Sequence, residues 1–113
     1  MKRYRIVNKR NKKKELASLI YDENKKEFQI IISKDQEIKK LPILLQASVS
    51  KGVYSMSPSN SLAWVRNRIV PSERKNIGSI LKSYGLTNYR EDLILEKTEG
   101  RSIQDDYMVI REQ

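Results

Sequence analysis

Paired carboxylates are the first place to look for chemistry in this sequence. Asp105-Asp106 precedes the apolar stretch Tyr107 to Ile110, and Glu91-Asp92 opens a helix-like pattern. Two adjacent carboxylates can bind a divalent cation or share a proton. Each pair also has a structural reading: a solvated turn before a strand for Asp105-Asp106, and acids favouring a helix N-terminus for Glu91-Asp92. The structural readings are preferred, because nothing else completes a reactive site. The chain has no Cys and no His. That removes disulfides, thiol nucleophiles, Cys-ligated zinc, His-based triads and the usual near-neutral acid–base group. Gly52, Gly78, Gly85 and Gly100 do not have the spacing of a phosphate-binding loop. The chain is therefore read as non-catalytic, with no cofactor and no metal.

Residues suited to binding are more numerous. Trp64 is the only tryptophan. At about 100° per residue, Leu62, Val65 and Ile69 fall on one helix face. Trp64 and Arg68 then fall together on the opposite face, and Trp and Arg are enriched in interface hot spots. Arg66, Arg74 and Lys75 lie near Pro71, where they can meet phosphates or acidic side chains. The partner-binding set read from the sequence is Trp64, Arg68, Ser61, Arg66 and Arg74. The alternative for Trp64 is a helix covered on both sides.

The net charge of +9 is concentrated at one end. Residues 1–14 hold Lys2, Arg3, Arg5, Lys9, Arg10, Lys12, Lys13 and Lys14 and no acid, and residues 15–113 carry a net of only +1. The basic end can grip nucleic-acid phosphates without sequence preference, or its charges are merely solvated. Tyr4 is its only aromatic, which gives little for base stacking.

The positioning elements follow from periodicity. Strands are expected over 3–8, 16–21, 27–33 and 107–110, the middle two forming a hairpin across the polar turn 22–26. A short helix is expected over 35–40, an extended apolar stretch over 41–45 and a loop over 46–58, the segment expected to be most mobile. Helices are expected over 60–69 with Ser59 or Asn60 as N-cap, over 73–84 with Ser72 as N-cap and Gly85 closing, and over 89–98 with Asn88 as N-cap and Gly100 closing. One domain over 1–113 results: an α+β fold, with a small antiparallel β-sheet and a packed layer of about three helices. The apolar runs are far shorter than the roughly 20 residues of a bilayer span. No secretion signal is visible, so no membrane partner and a cytoplasmic location are expected.

This order of features resembles a known family. The hairpin Leu16 to Ile30 is followed by Leu41-Pro42-Ile43-Leu44-Leu45, then Leu62-Ala63-Trp64-Val65-Arg66-Asn67-Arg68-Ile69-Val70-Pro71. After these come Tyr84-Gly85-Leu86, Leu93-Ile94-Leu95 and Gly100-Arg101. It is similar to the N-terminal subdomain of HipA-like serine/threonine kinases, over roughly residues 14–110. The Gly-Ala usual after the last helix is absent, and the sequence ends at Gln113, where a kinase core would start. The resemblance implies the separated form of this subdomain found in tripartite HipBST-type toxin–antitoxin systems. There a small antitoxin subunit binds and neutralises a HipA-like kinase toxin, and a third, helix-turn-helix protein binds operator DNA. With Trp64 outward beside Arg68 on the helical projection, Trp64 is then the expected anchor, and Trp64→Ala is expected to release the kinase and leave the fold intact. The alternative function is a small nucleic-acid-binding or transcription-regulating protein using residues 2–14.

Overall fold

A computed structural model describes residues 1–112. Its order is β1 (Lys2–Asn8), β2 (Ala17–Asp22), β3 (Glu27–Ile32), a 3₁₀ turn (Ile38–Lys40), α1 (Ile43–Ser50), α2 (Pro58–Arg66), α3 (Ile77–Ser83), α4 (Glu91–Thr98) and β4 (Tyr107–Arg111). The strands form one antiparallel sheet in the order β3-β2-β1-β4. The fold is α+β, with four helices on the sheet. Among the described residues no helix is long and apolar enough to cross a membrane.

Alternation determines which face of the sheet is covered. Tyr4 and Ile6 of β1, Leu19 and Tyr21 of β2, and Phe28, Ile30 and Ile32 of β3 are buried on one face, as expected when one side of an antiparallel sheet packs and the other is solvated. Leu45 and Val49 of α1, Val65 of α2, Leu81 of α3 and Ile94 and Leu95 of α4 complete the core. The β2–β3 hairpin is held at its turn by Asp22, whose carboxylate accepts from the N–H groups of Asn24 and Lys25.

Several boundaries differ from the sequence reading: the 35–40 helix is only the 3₁₀ turn Ile38–Lys40, α2 ends at Arg66 and not 69, and α4 begins at Glu91 with Arg90, not Asn88, at its N-cap. Residues 43–50 form a helix where an extended stretch and a loop were expected. Pro42 (φ −53°) stands at its N-cap, and Leu45 and Val49, four apart, turn inward. The next helix starts at Pro58 rather than residue 60. Ser57 caps it by accepting from the Asn60 N–H, and Pro58 occupies a first-turn position where its missing N–H costs nothing. The third begins at Ile77, four residues later than expected, because 72–76 form turns instead. Its end is as read: Gly85 has φ +75°, and the Leu86 N–H returns to the Leu81 carbonyl.

The expected first strand takes up much of the basic segment: β1 is an interior strand, paired to β2 on one side and β4 on the other. Lys2 points into the layer between sheet and α4. Its Nζ lies 2.6 Å from Asp92 and 2.8 Å from Glu96, and its side chain is 9% exposed. The Asp92 side chain is 1% exposed and also pairs with Arg90 at 2.9 Å. Tyr4 donates its hydroxyl to Glu96 at 2.7 Å. Burial alone would raise both carboxyls. Lys2, with Arg90 on Asp92 and Tyr4 on Glu96, outweighs it and holds both below their usual values. Burial would lower the Lys2 ammonium, but the two carboxylates keep it above its usual value.

Breaking a buried pair by removing one partner leaves an uncompensated charge, at a cost of about 3–5 kcal/mol. Lys2→Ala is expected to lose about 3 kcal/mol in urea unfolding. Because the folded carboxyls are depressed, their contribution is complete above the unfolded values and falls away as pH drops through the folded ones. The wild-type urea midpoint is therefore expected to be level between about pH 7 and pH 5 and to fall below about pH 4. In Lys2→Ala the acid limb should be shallower; an unchanged limb would show that the pair is not coupled to folding.

Candidate partner-binding cleft

The buried stripe of α2 is Ser61, Trp64 and Val65, extended past the helix end by Arg68 at i+7. Two of the four are polar, and each is satisfied inside. Ser61 is fully buried, and its hydroxyl accepts the Ile30 N–H of β3 at 2.9 Å. Arg68, with a side chain 5% exposed, lies 4.7 Å from the Trp64 ring centre. Its guanidinium donates twice to Asp105, at 2.9 and 2.6 Å, and to the Gly100 and Tyr107 carbonyls at 2.6 and 3.0 Å. Those bonds, first among the influences on it, hold the Asp105 carboxyl below its usual value, against burial and with help from the Tyr107 N–H.

Trp64 and Arg68 are therefore not the outward pair that the helical projection placed opposite Leu62, Val65 and Ile69. Trp64 is 3% exposed, and Leu62 is the half-buried residue. Ser61 is likewise an internal link between α2 and β3, not a contact residue. Arg66 is exposed and donates to Glu91 at 2.6 Å, tying α2 to the first turn of α4. Arg74 is exposed and lies apart, making no ion pair among the described residues. Asp105 and Asp106 do not act as a pair: Asp105 belongs to Arg68, and Asp106 faces Arg10 at 3.8 Å. Asp92 is more than a helix-end charge, being the buried partner of Lys2.

The basic segment is divided in the same way. Lys2 is internal. Arg3 pairs with Glu15 and Glu112, Arg5 donates to the Lys12 carbonyl, and Lys9 donates to the Ser102 and Asp105 carbonyls. Arg10, Lys12, Lys13 and Lys14 stay exposed.

The surface that the fold does leave open is beside these residues. A cleft of about 720 Å³ lies between the start of α1, the end of α2 and the loop before β4. Trp64 and Leu41 lie in its walls, with Asn67, Arg68, Asp105 and Tyr107. On its rim Ile43 is 82% and Leu44 44% exposed, and Ile103, in the same loop, is fully exposed. Leu44 also lines a smaller depression, of about 260 Å³, with Ala47, Val53, Met56 and Ala63. Near these clefts the outward apolar residues are thus Ile43, Leu44 and Val53, with Ile103 in the loop before β4; Ile31, Ile38 and Met1 are exposed as well. Sequence reasoning had one signal for Ile43: with Leu45 and Val49 facing in, it lies about 140° from their midpoint around the same helix.

The loop is fixed at Gly100. Its φ is +59°, and a Cβ there would meet Val109 at 2.8 Å and Leu95 at 3.1 Å. Arg68 and Lys9 then hold the following carbonyls. Among the described residues there is no group of three or more His, Cys, Asp or Glu placed to hold a metal ion. No protein-family model matches the chain, and no curated protein or solved structure does.

Trp64→Ala is expected to destabilise the fold by about 3–5 kcal/mol, the usual cost of emptying a buried Trp site. Guanidinium unfolding followed by circular dichroism measures it. Loss of partner binding with unaltered stability would contradict the buried placement.

Proposed function

We propose that the chain is a non-catalytic protein-binding subunit whose partner is a HipA-like serine/threonine kinase, which it neutralises, as the separated antitoxin of a HipBST-type system does. The resemblance over residues 14–110 supports the identity of the partner. The observation that carries the binding role is the exposed pair Ile43 and Leu44 at the edge of an open cleft, with Val53 beside Leu44 in the adjoining depression. Exposed apolar side chains grouped in this way mark interaction surfaces. With Ile103, they lie on α1 and on the segments that join α1 to α2 and α4 to β4. The contact residues are assigned to that rim, with Trp64 and Arg68 supporting it from below. A subunit of this kind works by occupying surface on the kinase, so it needs no cofactor of its own.

A second reading is carried by Lys12, Lys13 and Lys14, which are exposed and free of ion pairs among the described residues. They suit contact with nucleic-acid phosphates, directly or beside a helix-turn-helix protein on operator DNA.

Co-expression with a HipA-like kinase encoded beside this chain is expected to give a stable complex and suppress kinase toxicity. Ile43→Glu with Leu44→Glu should abolish both while leaving the unfolding midpoint nearly unchanged, since both side chains are exposed. Central interface anchors commonly contribute about 2 kcal/mol or more each. Full neutralisation by the double variant would remove the cleft from the proposal. Absence of any complex with the wild-type chain would remove the kinase.

A further inference from the structure

The large cleft does not end at its apolar rim. A second cleft, of about 370 Å³, shares Asn8 and Tyr107 with it. Tyr107 anchors the shared wall, its hydroxyl donating to the Lys40 carbonyl at 2.8 Å. The second cleft draws Lys14 from the β1–β2 loop and Lys39 and Lys40 from the 3₁₀ turn, with Asn8, Asn11 and Gln36. Its lining holds three cations and no carboxylate. Glu37 is the nearest acid, at 3.8 Å from Lys39 and 3.4 Å from Lys40, and all three side chains are more than half exposed. Contacts of that kind are weak and leave the lysines free to turn to a ligand. Lys14 makes no ion pair among the described residues.

We propose that the joined clefts take an acidic, amphipathic segment of a protein partner. Its apolar side chains lie over Ile43 and Leu44, and its carboxylates lie against Lys14, Lys39 and Lys40. Two features choose a protein over a nucleic acid. The rim is apolar where it is most exposed, and a phosphate backbone gains nothing from Ile43 or Leu44. The large cleft also presents Asp106, 57% exposed in its side chain, while the charge of Asp105 is taken up by Arg68, so a polyanion lying along it meets an acid and, among the described residues, no free cation. A peptide that is apolar at one end and acidic at the other meets complementary surface at both. Complementary charge of this sort acts through encounter rate and choice of partner. The inference rests on the cleft being the docking face and is independent of the partner being a kinase.

The test uses the full chain, ¹⁵N-labelled, and three probes. One is an acetylated eight-residue peptide with four Leu followed by four Glu. The second has Lys in place of Glu, and the third is oligothymidylate. The acidic peptide is expected to shift the amide signals of Lys39 to Leu44, Lys14 and Tyr107, with an affinity that falls as salt rises. Lys14→Gln/Lys39→Gln/Lys40→Gln should weaken it about tenfold, while Lys12→Gln/Lys13→Gln should leave it unchanged. Signals of β2 and β3 that keep their positions show that each variant is folded. Equal binding of the basic peptide, preferential shifts with oligothymidylate, or no response of these residues to the acidic peptide would each overturn the proposal. A kinase complex formed at the same time would leave the broader reading standing.

Discussion

The rest of the structure depends on β1 sitting between β2 and β4. That one strand joins the start of the chain to its end, and the sheet would otherwise be a two-stranded hairpin, which is marginal alone in water. The constraint is electrostatic. The most basic segment of the chain has to become the interior of a sheet, so each of its charges needs an outlet. Alternation supplies two faces. On the covered face Lys2 meets Asp92 and Glu96. On the open face Arg3 reaches Glu15 and Glu112, and Arg5 reaches the Lys12 carbonyl. Buried ion pairs are costly to desolvate, so the Lys2 pair is better understood as fixing where α4 lies on β1 than as a large source of stability. A one-residue slip of β1 would place Arg3 under α4 and Lys2 in solvent. Matching the buried acids therefore selects the register.

The same economy closes the sheet edges. An edge strand presents unpaired N–H and C=O groups that can recruit other strands. On β3, Ile30 gives its N–H to Ser61, while Ile32 and the Ile30 carbonyl pair with Tyr54 and Met56. On β4, the Val109 N–H goes to the Glu99 carbonyl, and Arg68 takes the Tyr107 carbonyl. Both caps originate in or next to α2 and α4, so the helical layer buries the core and guards the edges together. What it leaves uncovered is the outer side of α1 and the cleft beside it.

How much of this was readable in the sequence follows from which residues carry the signal. The strands were legible because Tyr4, Ile6, Leu19, Phe28 and Ile30 alternate with polar neighbours. The last strand and the glycine at 85 were legible for equally local reasons. The helix over 43–50 was not, because Ser48 and Ser50 read as loop and its inward pair, Leu45 and Val49, is only two residues. Trp64 was placed on the wrong side for a definite reason. The inward stripe of α2 is 61, 64, 65 and 68, and two of these are Ser and Arg. A projection that counts only apolar residues shifts the face toward Leu62, and Trp64 then appears outward. Only tertiary partners, the Ile30 N–H for Ser61 and Asp105 for Arg68, make those positions suitable for burial. For the same reason the charges of the basic segment read as open to phosphates or solvent. Its acids, Asp92, Glu96 and Glu112, are some 90 to 110 positions away in sequence, beyond any local pattern.

Arg68 explains why a cleft survives at all in a domain with so lean a core. The loop from Gly100 to Tyr107 touches the apolar core only at its ends, Gly100 against Leu95 and Val109 and Tyr107 against the core edge, and Ile103 in its middle points outward. Apolar burial does not hold its middle. A guanidinium can hold the loop, because its rigid fork satisfies a carboxylate and backbone carbonyls together while its flat face rests on an aromatic ring. Arg68 does this on Trp64, and a lysine, with one point charge, would not span the same set. The loop is thus held away from α1 by polar bonds at its base, which keeps Ile43 and Leu44 uncovered. Trp64, from beneath, orients the arginine that holds the cleft open, and this indirect role is the one its burial permits.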